Sequence, residues 1–130
     1  MPRTKLDTYN DKYGVYVYTT YPPIKQLSIK GASDNGNIQF NCNRGSSVNV
    51  SAKMIDCAAN DVIKYEIVRA IRSDNKDIPS GAARGSVNTT TGIYTAATTA
   101  QGGAAGDIVA VKAYLEKDPS VFAIAIVRVQ

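Results

Sequence analysis

The sequence predicts an all-β fold, an antiparallel two-sheet sandwich preceded by an extended N-terminal arm. Three observations carry that expectation. Short runs rich in β-branched and aromatic residues recur along the chain, seven or more of them. Clusters of Gly, Pro, Asn and Asp separate them at short intervals. Helical periodicity competes with alternation at one place only, Ile63, Ile67 and Ile71. A chain of 130 residues suits one domain and buries enough surface for a core without metals or many disulfides.

Residues 1–23 read as the arm. The first thirteen are polar and without period, and Gly14 to Tyr21 supplies one strand, Val-Tyr-Val-Tyr in its middle. Pro22-Pro23 ends it, because proline cannot donate to a sheet ladder. Residues 24–130 read as the sandwich domain. Ile24 to Lys30 is its first strand. Gly31 to Gly36 is a turn-rich loop. Asn37 to Cys42 alternates, with Ile38, Phe40 and Cys42 on one side. Ser47 to Met54 reads as one half-buried strand, with Val48, Val50, Ala52 and Met54 inward.

Val62 to Ile71 is read as a strand because its β-branched residues lose rotamer freedom in a helix. Ser73 to Gly85 reads as a long polar loop. Val87 and Ile93 to Thr95 form two short strands about a turn at Thr91-Gly92. Thr98 to Gly106 is small, Gly-rich and therefore a loop. Asp107 to Leu115 and Val121 to Val129 are the strongest strands, joined as a hairpin by Glu116 to Ser120. The expected core holds Val48, Val50, Met54, Val109, Val111, Ala113, Ala123, Ala125 and Val127. Tyr65 is the candidate central aromatic in a chain without Trp.

Composition argues against several functions. The net charge of +4 is spread thinly, and no Lys/Arg stripe offers the phosphate neutralisation that nucleic acids require. No apolar run of 18 residues spans a membrane, and Met1 to Asn10 lacks the apolar region of a secretory signal. The chain has no His, so Ser-His-Asp and Cys-His catalysis cannot be assembled. Asp56 with Asp61, and Asp74 with Asp77, are read as solvated turn residues. Gly102 to Gly106 precedes a strand, whereas a phosphate loop precedes a helix. Asp34 to Asn37 and Asp74 to Asp77 lack the spacing and distal Glu of a calcium loop. The expectation is a non-enzyme with no cofactor and no metal. Cys42 and Cys57 read as free, mostly buried thiols, or as a disulfide if the protein works outside a cell. Asn49-Val50-Ser51 and Asn88-Thr89-Thr90 match glycosylation sequons to which nothing else in the sequence gives meaning.

One part of the chain is similar to a known family. It comprises Gly85-Ser86-Val87-Asn88, Thr91-Gly92-Ile93-Tyr94-Thr95-Ala96, Gly106 to Ala113, Asp118-Pro119-Ser120 and Ala123 to Val127. This series resembles the C-terminal half of bacterial immunoglobulin-like domains of the group 2 type. Ile24 to Met54 fits the family's first strands loosely, and Ala58 to Arg84 departs from it. The resemblance implies an immunoglobulin-like sandwich with an adhesive or architectural role, on cell surfaces or on bacteriophage particles. Met1-Pro2-Arg3-Thr4-Lys5-Leu6-Asp7 is similar to the start of small prophage proteins of Gram-positive bacteria. Together these imply a virion component, a capsid decoration or tail-associated domain. The alternative is a carbohydrate-binding or adhesive module of a bacterial surface protein.

The final hairpin adds an interface expectation. One face holds Val109, Val111, Ala113 and Leu115. The other holds Ile108, Ala110, Tyr114, Phe122, Ile124 and Ile126, where a sandwich normally presents polar residues. Such a patch needs a cover, and Tyr13 to Tyr21 reads as an unpaired strand able to supply it, within one subunit or by exchange in a homo-oligomer. Tyr16, Tyr18 and Tyr21 are also candidates for a sugar-stacking row. Candidate interface residues are therefore Tyr16, Tyr18, Tyr21, Ile108, Tyr114, Phe122, Ile124 and Ile126. The expected partners are protein, self or virion, with a cell-surface glycan as the alternative.

Overall fold

Alternating small and branched apolar residues build the centre of the molecule. In the computed structural model, which describes residues 5–8, 16–19, 24–30, 32–34 and 37–130, Ile108–Leu115 and Phe122–Val129 are strands of eight residues each. Val109, Val111, Ala113 and Leu115 are each 1% exposed or less, while the intervening Ile108, Ala110, Lys112 and Tyr114 are half-buried. This is the period of two that separates the faces of a strand.

Twelve strands lie among the described residues: β1 Lys5–Thr8, β2 Tyr16–Thr19, β3 Gln26–Ile29, β4 Ala32–Asp34, β5 Asn37–Cys42, β6 Ser47–Asn49, β7 Ala52–Ile55, β8 Ile63–Ile71, β9 Ser86–Val87, β10 Ile93–Thr95, β11 Ile108–Leu115 and β12 Phe122–Val129. The only helical element among them is a 3-10 turn, Ala82–Arg84. The fold is all-β, as the sequence predicts.

A five-stranded sheet runs β4-β5-β12-β11-β8. It is mixed, because β5 pairs parallel with β12 while the other ladders are antiparallel. Opposite it lie a two-stranded sheet, β3-β7, and a three-stranded sheet, β6-β10-β9. One buried cluster joins the layers: Cys42, Tyr65, Val109, Val111, Ala125 and Val127 from the first, Ile29 and Tyr94 from the second, with Val50 and Ala96 beside them. Each fully buried branched side chain contributes about 1.5–3 kcal/mol.

Several expectations are corrected. Residues 1–23, read as an arm with one strand, hold two among the described residues: β1 and β2 pair antiparallel, Lys5 opposite Thr19 and Thr8 opposite Tyr16, as a sheet of their own. The strand read as unpaired therefore has a partner in the polar segment before it. The loop predicted at Gly31 to Gly36 contains β4, paired with β5. Ser47 to Met54 is two strands. β6 pairs with β10 and β7 with β3, and the chain changes sheets at Val50-Ser51. Asn49 Oδ1 accepts the Ser51 N–H at 2.8 Å there, a local bond that competes with a continuous ladder. Met54, expected in the core, is 37% exposed near the end of β7.

β8 resolves the competition between helix and strand. Its ladder with β11 slips between Ala110 and Val111: Arg69 faces Ala110 and Ile67 faces Val111, so Val68 has no partner. A bulge inserts one extra residue and reverses which face later residues occupy. Ile63, Tyr65 and Ile67 share the register of the buried β11 residues, but Ile71 lands opposite outward Ile108. Residues four apart share a face in a strand as well as in a helix, so Ile63 and Ile67 suit either, and the bulge turns Ile71 outward.

The turn at Gly92 rests on glycine chemistry. Gly92 has φ +75°, and a Cβ there would stand 2.8 Å from the Tyr65 ring. Tyr65 is 3% exposed, and its hydroxyl accepts the Ala52 N–H at 2.9 Å. The expected central aromatic thus bridges the layers.

Candidate interaction surface

The outward face of β8-β11-β12 is assembled in four cross-strand rows. Phe122, Tyr114 and Lys64 form the first, and Ile124, Lys112 and Glu66 the second. Ile126, Ala110 and Arg69 form the third, and Arg128, Ile108 and Ile71 the fourth. Side chains directly opposite in such rows touch across the ladder. The apolar members concentrate toward one end, where Arg69, Ile71, Ile108, Ala110 and Ile126 line a depression of about 160 Å³. At the other end Phe122 is 52% exposed. The Lys112 ammonium sits 4.9 Å from its ring centroid and 5.5 Å from that of Tyr114, within cation–π range.

The structure brings Ile108, Tyr114, Phe122, Ile124 and Ile126 onto this one face, four of them half-buried. It places Tyr16 and Tyr18 on β2, in the separate hairpin. Tyr21 lies outside the described residues. Ile71 belongs to the face and was missed, because the bulge that sends it outward leaves no mark on the alternation.

Two acids read as solvated or unremarked are anchored. Asp61 is 8% exposed; its Oδ2 accepts the Lys25 ammonium at 3.0 Å and the Ala58 N–H at 2.7 Å. Asp107, 2% exposed, accepts Arg72 at 2.8 Å and the Ala104 N–H at 3.0 Å. Asp74 and Asp77 are exposed, as expected. Asp77 pairs with Arg69 at 3.4 Å. Cys42 is buried and Cys57 half-buried, and both thiols are free. Burial pushes the Cys42 thiol pKa up.

The Lys25–Asp61 bond and the Ala58 N–H hold the Asp61 carboxyl below its ordinary pKa of 3.8, and the same bond raises Lys25. A lowered acid stabilises the fold above its ordinary pKa and loses that contribution as pH falls through the lowered value. Lys25→Met should therefore be less stable than the parent near neutrality, with the gap closing as the pH falls from above the ordinary carboxylate pKa down through the lowered one. Urea unfolding at a series of pH values checks this. Parallel stability curves would mean that the pair contributes nothing to acid sensitivity.

No protein-family model and no curated protein matches the chain.

Proposed function

We propose that this chain is an immunoglobulin-like structural module of a bacteriophage particle, acting by protein contact rather than by catalysis. The single observation that carries the binding role is the outward face of β8-β11-β12. Ile71, Ile108, Ile124, Ile126, Tyr114 and Phe122 gather where a two-layer fold ordinarily turns polar groups to water. The immunoglobulin-like assignment rests on the resemblance of Gly85 to Val127 and is supported by the two facing layers. The phage setting rests on the resemblance alone. The non-catalytic reading is supported by the absence of His from the sequence and by the engagement of Asp61 and Asp107 with Lys25 and Arg72.

In this reading copies of the chain meet through that face. The parent protein should be oligomeric by light scattering at high concentration. Ile124→Thr combined with Ile126→Thr should be a monomer with an unchanged circular dichroism spectrum. A parent that stays monomeric at every concentration would defeat the proposal. Gold-labelled antibody on phage particles from the source bacterium tests the setting, and unlabelled particles would reject it.

A further inference from the structure

We infer that the opposite side of the molecule carries a binding site for a neutral saccharide, a groove over β9 and β10 separate from the assembly face. Ser86, Val87, Asn88, Thr91, Ile93 and Thr95 line a volume of about 410 Å³. Tyr94 points into the core at 0% exposure, so its neighbours Ile93 and Thr95 face outward, and Ile93 is 42% exposed. The ladder sets these residues in two rows. Thr95 lies between Ser47 and Ser86. Ile93 lies between Asn49, its partner in β6, and Asn88, whose N–H donates to the Ile93 carbonyl at 2.9 Å.

The two asparagines are oriented alike. Asn88 Oδ1 accepts the N–H groups of Thr90 and Thr91, both at 2.9 Å. Asn49 Oδ1 accepts the Ser51 N–H at 2.8 Å and the Ser51 hydroxyl. Each amide has its acceptor end held by the chain, and neither Nδ2 donates to any group among the described residues. Two exposed asparagines thus flank one exposed isoleucine, Asn88 in the groove lining and Asn49 beside it on β6, with the Ser47–Thr95 hydroxyl pair at 2.7 Å and the Ser86 hydroxyl one row away.

The charge pattern selects the occupant. The chain carries fifteen basic and eleven acidic residues, yet no charged side chain lines this groove. An anion finds no cation there, and an apolar peptide finds only Ile93, since Val87, opposite Tyr94, packs against the core. A neutral sugar chain matches the lining: its ring C–H groups lie against Ile93, and its hydroxyls accept from the two amides and exchange bonds with Ser and Thr. Donors already held in place lose little freedom on binding. This site is independent of the assembly face, and either can fail without the other.

The test is NMR titration of the isotope-labelled protein with neutral hexasaccharides, namely cellohexaose, maltohexaose and chitohexaose, to about 5 mM each, sufficient to detect millimolar binding. At least one should shift the side-chain NH2 signals of Asn49 and Asn88. Asn88→Asp keeps the acceptor that bonds Thr90 and Thr91 but removes the donor, and should weaken binding at least about tenfold. Ile93→Thr should weaken it also, while Ile124→Thr with Ile126→Thr should leave it unchanged. No shift with any of the three sugars, or binding indifferent to Asn88→Asp and Ile93→Thr, would overturn the assignment.

Discussion

Gly85→Ala is expected to lower the unfolding free energy by about 3–5 kcal/mol. Gly85 sits at φ +79°, in the left-handed region that side chains avoid. A Cβ there would lie 2.4 Å from the Thr95 carbonyl oxygen and 2.6 Å from the Tyr94 hydroxyl. Neither neighbour can yield cheaply. Thr95 is held in the β10 ladder, and the Tyr94 hydroxyl donates to the Arg84 carbonyl at 2.7 Å from a side chain that is 0% exposed. Burial also keeps Tyr94 protonated far above the ordinary tyrosine pKa. Gly81→Ala is the control. That residue has φ +145° and nothing within 4 Å of the added carbon, so only backbone strain remains, about 1–2 kcal/mol. Urea midpoints compare the two. Equal losses would show that the contact with Tyr94 and Thr95 does not matter.

Ile78→Ala is expected to cost about 2–5 kcal/mol, the range for truncating a buried branched residue that leaves a cavity. Ile78 is 0% exposed and belongs to the core cluster. Its N–H donates to the Ala70 carbonyl at 2.9 Å, and its own carbonyl accepts the Arg84 side chain at 2.7 Å. The truncation should therefore also speed amide exchange across residues 73–85, which this side chain ties to the sheet. A loss below about 1 kcal/mol would mean that the segment closes over the gap.

Much of the fold was legible in the sequence. β11 and β12 alternate over their whole length and are bounded by Gly106 and by Asp118-Pro119, so period and turn chemistry agree. The outward apolar face followed from the same alternation. What stayed hidden concerns partners rather than local conformation. Val48 and Met54 continue one alternation, but nothing in it says that β6 and β7 join different sheets. A single Ile in a polar stretch carries no period, so Ile78 could not be told from a loop residue. Asp61 and Asp107 look like any turn acid until Lys25 and Arg72 arrive from 36 and 35 residues away. The sequons at Asn49 and Asn88 were visible, but only the β6-β10-β9 ladder sets them on either side of Ile93.

The parallel pairing of β5 with β12 sets the timing of folding during synthesis. β12 lies between β5 and β11, so the first-made half of the large sheet has no neighbour until the last described strand is translated. Before that, β4 and β5 form only a short hairpin, which is marginal alone in water. β11 and β8 can pair earlier, since both precede β12. A chain truncated before Phe122 should therefore hold a β8-β11 ladder with an open edge, whose unpaired N–H and C=O groups would recruit other copies of the chain.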